Sequence, residues 1–198
     1  MESFDMNIFK IAPHKTLLPA RGHILISDPF LQGPYFSRSV VLITEHNEEG
    51  TIGFVLNKPT RVYPDEIIDD ILSFNGVFYV GGPVSTNSFH VLHTLGDLVP
   101  GSIRVTSTVY WGGDFNAVKR LINNKVANSD SVKFFVGYSG WVSGQLDSEI
   151  EEDAWVVSTL DDAKIMQSNS DHSWHETLTD LGEDFKTWLN FPLNPSFN

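Results

Sequence analysis

Cysteine is absent from all 198 residues. Its absence excludes disulfides, thiolate nucleophiles and cysteine-based zinc sites, and agrees with a reducing compartment. Basic residues are scarce. Thirteen Lys and Arg stand against 25 Asp and Glu, a formal net charge of −12. They form no run, so a phosphate backbone would meet a surface of its own sign, and direct nucleic-acid binding is disfavoured. Anionic membrane surfaces are disfavoured for the same reason. Long apolar runs are also missing: Val40-Val41-Leu42-Ile43 falls far short of the ~20 residues of a membrane span. The start, Met1-Glu2-Ser3-Phe4-Asp5, is acidic where a secretory signal is basic. A cytoplasmic protein with no membrane partner is expected.

Hydrophobic residues make up 41% of the chain and aromatics 12%, enough for a sizeable core. The length favours one domain. Residues 1–21, broken by Pro13 and Pro19, read as an N-terminal extension that docks or frays. Residues 22–189 carry the domain, and 190–198, with Pro192 and Pro195, form an irregular tail. β-Branched and aromatic stretches predict strands at 23–27, 39–45, 51–57, 76–80, 89–92, 103–110, 132–138 and 155–157. Helices are predicted at 64–72, 115–122 behind an Asp114 N-cap, 145–152, 174–181 and 185–189. The strands pair through hairpins, and the helices fall between them without a steady βαβ beat. The fold class is therefore α+β, a mostly antiparallel sheet flanked by short helices.

Several constellations invite a chemical reading. Gly137-Tyr138-Ser139-Gly140-Trp141 approaches the G-x-S-x-G nucleophile elbow, with Asp161 and His172 or His175 following in hydrolase order. Trp141 stands where the last glycine should be, which favours a glycine-permitted turn that buries the indole. Gly81-Gly82-Pro83 and Gly112-Gly113-Asp114 are glycine turns that match no phosphate-loop pattern. His90 and His93 point to opposite faces if they lie on a strand and then cannot share a metal, whereas His172 and His175 at helical spacing could, though spacing places no acidic partner with them. Glu149 with Asp153, and Asp147 with Glu151, lie one helical turn apart and read first as a solvated face. Neither a metal set nor a cofactor loop is called for, and no catalytic residue is assigned. The stronger candidate is a small polar site for an anion or carboxylate. Arg38 leads into one hairpin strand and Asn57-Lys58 closes the other, beside Gly81-Gly82, with Tyr138 added to the candidate set.

The blocks Gly22-His23-Ile24-Leu25-Ile26-Ser27, Phe36-Ser37-Arg38-Ser39-Val40-Val41-Leu42, Gly53-Phe54-Val55-Leu56-Asn57-Lys58-Pro59, Gly81-Gly82-Pro83-Val84 and Gly137-Tyr138-Ser139-Gly140-Trp141 stand in a telling order. With Gly144-Gln145-Leu146, Glu149-Ile150 and the Trp174 helix, they give a chain that resembles the YqgE/AlgH family, in the style of its Bacteroidetes branch. The resemblance implies a strongly bent, barrel-like sheet and a bacterial cytosolic protein. It implies no established enzyme activity, and some members are called transcriptional regulators on genetic grounds. The expected function is a non-enzymatic binding or regulatory protein, acting through a protein partner or a small anionic ligand without gripping DNA. The alternative is an enzyme of small-molecule chemistry anchored on Arg38, Asn57 and Lys58.

Overall fold

The computed structural model of the chain describes residues 17–170 and 172–191. The extension before residue 17 and the tail segment from Pro192 lie outside the described residues. Strands β1 (Ile24–Ser27), β2 (Val40–Asn47) and β3 (Gly50–Val55) form an antiparallel meander. Helix α1 (Pro64–Ile67) leads to β4 (Phe78–Val80) and β5 (Val84–His93). The short hairpin β6 (Ile103–Arg104) and β7 (Tyr110–Trp111) precedes α2 (Phe115–Asn123), which Asp114 caps by accepting the Asn116 N–H. The longest strand, β8 (Val132–Val142), runs into α3 (Gln145–Glu151) and β9 (Trp155–Ser158). Three helices close the described chain: α4 (Asp162–Gln167), α5 (His172–Leu181) and α6 (Lys186–Leu189).

The strands form a single nine-stranded sheet in the order β6-β7-β5-β8-β3-β2-β1-β9, with β4 parallel to β8. The sheet is mostly antiparallel, strongly curved and not closed. Its curvature centres on β8. Residues 132–136 pair with β5, as does Tyr138 with Val84 beyond the bulge, and 134–136 pair also with β4, whereas 139–142 pair with β3. Gly137 separates the two halves at φ +66°, in the left-handed region that glycine enters without steric cost. Opposite it, β5 bulges out through residues 85–88. The turn Gly81-Gly82 lies against this bend so closely that a Cβ on Gly82 would sit 2.4 Å from the Tyr138 carbonyl. A Cβ on Gly137 would sit 2.8 Å from the Gly82 and Val84 oxygens.

Three apolar clusters follow from the strand alternation. One face of the sheet, with Ile24, Leu42, Phe54 and Phe135, is covered by Trp174 and Leu178 of α5 and Trp188 of α6. On the opposite face, Phe78, Val91 and Phe134 pack under Val118 and Ile122 of α2. Val41, Val55, Trp141 and Trp155 pack under Leu146 of α3. No helix among the described residues is long and apolar enough to cross a membrane.

Three expected elements differ. The glycine turn expected at Gly137–Trp141 is strand instead, because β3 pairs with residues 139–142 and β8 continues to Val142, bending only at Gly137. The helix predicted over 64–72 stops at Ile67 because Ile68 turns extended and Asp70 enters positive φ. Both ends of the Asn123 carboxamide hold this segment, accepting from Leu72 N–H and donating to the Asp70 carbonyl. Ile68, Ile71 and Phe74 thereby reach the core. The strand predicted over 103–110 is instead a tight hairpin. The Asp162 carboxylate accepts from Ser107 Oγ, Thr108 N–H and Thr108 Oγ1. Partial burial pushes that carboxyl up, but these hydrogen bonds outweigh it and bring it down to about 2. Helix α4 lies where no element was expected from the sequence.

Two glycine substitutions separate backbone strain from close packing. Gly144→Ala, at φ +76° with nothing within 4 Å of the new Cβ, should cost only the left-handed penalty of roughly 1–2 kcal/mol. Gly137→Ala adds collisions with two backbone oxygens and should cost at least about 3 kcal/mol. Urea unfolding of both variants checks this, and equal losses would refute the crossing as a tight joint.

Candidate functional site

Asn57 is fully buried just beyond the end of β3, and its carboxamide extends the ladder that β3 has left. Its Oδ1 accepts the Val40 N–H at 3.0 Å and its Nδ2 donates to the Arg38 carbonyl at 2.9 Å. The clamp holds Arg38 at φ +49° and turns its side chain under α5. The guanidinium lies 5.1 Å from the Trp174 ring centroid and donates to the Phe191 carbonyl. It also donates to His175 Nε2 at 3.4 Å. A guanidinium has no acceptor, so Nε2 accepts and the ring proton sits on Nδ1. That Nδ1 is buried and has no hydrogen-bond partner.

His175 lines a cleft of about 420 Å³ between α4 and α5, together with Ser168, His172, Glu176, Lys164 and Asp180. Lys164 and Asp180 form an ion pair from one helix to the other. Ser168 is 5% exposed, and its hydroxyl likewise lacks a partner. Buried polar atoms are almost always hydrogen-bonded, and two residues that line this cleft, His175 and Ser168, each keep an unsatisfied one.

Beneath Ser168 lies a group that the sequence reading missed. Lys133, in the first half of β8, is 2% exposed. Its ammonium donates to the Leu56 carbonyl at 3.1 Å and to the Ser168 carbonyl, and lies 4.0 Å from the Tyr79 ring centroid. Ser168 is the C-cap of α4, so the negative end of that helix faces the ammonium. Burial is the dominant effect and pulls the Lys133 pKa down to about 7. The available signal was a lone Lys in the run Val132-Lys133-Phe134-Phe135-Val136, where Phe134 and Phe135 leave neither face of the strand polar.

The remaining candidates disperse. Lys58 is half-buried and its carbonyl accepts the Val80 N–H, which places it beside Gly81-Gly82. Tyr138 lines a different, open groove with Ile52, Val84, Glu45 and Val142. Ser139 is fully buried and donates to the Gly81 carbonyl at 2.9 Å. Glu149 accepts the indole N–H of both Trp141 and Trp155, at 2.8 Å each. His93 stacks on Tyr110 and bonds the Gly112 carbonyl. Burial lowers its pKa, and that of His90 on the other face of the strand. Ser88 Oγ lies 3.0 Å from His90 Nε2, but it donates to the Ser85 carbonyl, the wrong orientation for a nucleophile. Among the described residues, no group of three or more His, Asp or Glu side chains is placed to hold a metal ion.

The curved sheet closed by C-terminal helices defines a known α+β class. It superposes on a Corynebacterium diphtheriae crystal structure with TM-score 0.72 at 22% identity, over 89% of this chain and 95% of that one. It superposes on the solution structure of the AlgH protein from Pseudomonas aeruginosa with TM-score 0.68 at 24% identity, over 87% and 94% of the two chains. In sequence, the chain is 44% identical to a UPF0301 protein of Parabacteroides distasonis over 97% of its length and 98% of the relative's. It is 41% identical to one from Bacteroides thetaiotaomicron, over 99% and 100%. Residues 24–186 match the AlgH-like family, DUF179, and the chain belongs to it.

The Lys133 environment has a signed pH consequence. Below pH 7 the ammonium is protonated folded and unfolded, so its burial cost is constant. Between about 7 and its ordinary 10.5, only the unfolded chain holds the proton, so stability rises with pH. Wild type should therefore gain on Lys133→Met by up to about 1.4 kcal/mol per pH unit over this window. Parallel stability curves for the two proteins from pH 6 to 10 would show that burial does not shift this amine.

Proposed function

We propose that this protein is a non-enzymatic cytoplasmic binding or regulatory protein that acts through a small ligand or a protein partner and not by gripping DNA. The observation that carries this reading is the α4–α5 cleft, lined by His175 and Ser168, each of which holds a buried polar atom without a protein partner. Arg38 serves as a positioning residue. By occupying Nε2 it orients the imidazole. Asn57 holds Arg38 in turn. The groups most like catalytic ones, Ser139 and Glu149, are engaged in holding the frame. The net charge of −12 supports action away from nucleic acid. The regulator label borne by some family members fits a protein that reports a bound ligand to a partner.

The test is a thermal-shift screen against metabolites and nucleotides, with His175→Phe as the control and product analysis of the same mixtures. A ligand at a hundred times its Kd adds about 2.7 kcal/mol, or roughly 5–10 °C for a domain of this size. A shift of that order, lost in His175→Phe and without turnover, is the expected result. Time-dependent conversion of a compound that binds would replace this reading with the enzyme. Salt-sensitive DNA binding at low ionic strength would replace it with a direct regulator.

A further inference from the structure

We infer that the open groove at the β2–β3 end of the sheet docks a basic segment of a protein partner. An apolar side chain of that segment sits among Ile52, Val84, Tyr138 and Val142, and Lys or Arg side chains beside it meet Glu45 and Glu49. This surface is separate from the α4–α5 cleft and goes beyond the ligand reading of it. Ladder register places the groove residues on one face of the sheet. Ile52 stands opposite Glu45 of β2 and Gly140 of β8, and Gly50 stands opposite Asn47 and Val142. Val84 of β5 stands opposite Tyr138. Ile52 and Tyr138 pack at the margin of the cluster that α5 and α6 cover. The residues lining the groove come only from strands and the β2–β3 turn, so no helix covers this end of the face. Val142 is 72% exposed there. Gly50 and Gly140 raise no side chain from the floor, and the volume of about 370 Å³ admits a large apolar side chain with its backbone.

Charge selects the occupant. The lining carries the carboxylates of Glu45 and Glu49 and, among the described residues, no Lys or Arg. Glu45 accepts from Asn47 Nδ2 at 2.8 Å. Neither carboxylate is in an ion pair among the described residues. The groups that touch the lining from behind do not reverse this sign. Glu149, which accepts the Trp141 indole N–H, is a further carboxylate. His90, with its ring centroid 5.6 Å from that of Tyr138, is held toward its neutral form by burial. His46 Nδ1 lies 2.7 Å from Thr51 Oγ1, on the alternate face of the ladder. A second copy of this chain would bring the same carboxylates against these, and a phosphate backbone would be repelled. An uncharged apolar segment would leave Glu45 and Glu49 without a partner, and a lone amine would leave Ile52 and Val142 wet. A segment with an apolar anchor and flanking cations meets both parts.

The test selects a random peptide library on the full chain and measures the recovered peptides by fluorescence anisotropy, with butylamine as the small-cation control. Recovered sequences should place Lys or Arg close to an aromatic or branched aliphatic residue. Val142→Asp and Glu49→Lys, both at exposed positions, should each weaken binding roughly fivefold or more without lowering thermal stability. Asp97→Lys makes the same change of net charge at an exposed position outside the groove and should leave binding unaltered, as should His175→Phe. Equal weakening by Asp97→Lys and Glu49→Lys would reduce the effect to net charge and overturn the groove as the site. Loss of binding in His175→Phe would move the contact to the α4–α5 cleft and overturn the groove alone. Recovery of acidic or uncharged sequences, competition by butylamine at the peptides' own concentrations, or recovery of no binding sequence would overturn this class of partner. None of these outcomes changes the metabolite screen of the cleft, so the two readings fail separately.

Discussion

The close crossing of Gly81-Gly82 over the bend in β8 is the constraint on which the rest of the structure depends. Gly81 donates to the Val136 carbonyl, and its own carbonyl accepts from Val55 N–H and from Ser139 Oγ. One residue thus ties together β3 and the two halves of β8. A side chain at Gly81 would collide with the Gly137 carbonyl at 2.3 Å. Because the strands on either side diverge from this joint, a single strand can serve both halves of the sheet. The bend also decides what each half presents. Before it, Lys133 and Phe135 face the C-terminal helices, and after it Trp141 faces α3. There Glu149 gathers two indoles, a charge-assisted arrangement that fixes α3 against β8 and β9.

The helical layer is attached to the sheet through two buried cations as well as through apolar contact. Lys133 reaches from β8 to the C-cap of α4, and Arg38 reaches from the start of β2 to α5 and the end of α6. Carbonyl oxygens and aromatic faces are weaker partners than carboxylates for a cation, and burial of the charge is costly. An all-apolar contact would be at least as stable. What the cations add is position, since each carbonyl must be met at hydrogen-bond distance. Ser168 and His175, which these two side chains meet, both line the cleft. The separation of α4 from α5 is therefore set by the sheet beneath them.

Much of the frame was legible in the sequence because it rests on local signals. β-Branched runs marked β1, β2 and β3, and Asp114 marked the start of α2. Where the reading failed, distant partners had overridden local preference. Asn123 ends α1, and Asp162 shapes the β6–β7 hairpin, each across about fifty residues of sequence. Where a polar ligand pocket around Arg38, Asn57 and Lys58 was expected, Asn57 bonds the Arg38 backbone carbonyl, and the Arg38 side chain packs on Trp174 and His175 of α5. Lys133 gave only a faint signal, because a single Lys in a strand ordinarily reads as a solvent-facing position. Ser168 and Gln167 gave none, since α4 itself was not foreseen.

The segment that identifies the family is therefore a poor guide to activity. Gly137 bends the sheet, Ser139 seals the joint at Gly81, and Trp141 shares the Glu149 carboxylate with Trp155. Each of these residues is engaged in holding the frame, so none of them is available for chemistry. The cleft obeys a different logic. Glu176 and His172 are exposed on α5 and contribute little to the core, so the frame does not dictate them. A change at either would alter what the cleft binds while leaving Arg38 and Lys133 to hold the helices in place. Relatives that share the joint are expected to share this fold, but they share a ligand only where the residues facing the cleft also agree.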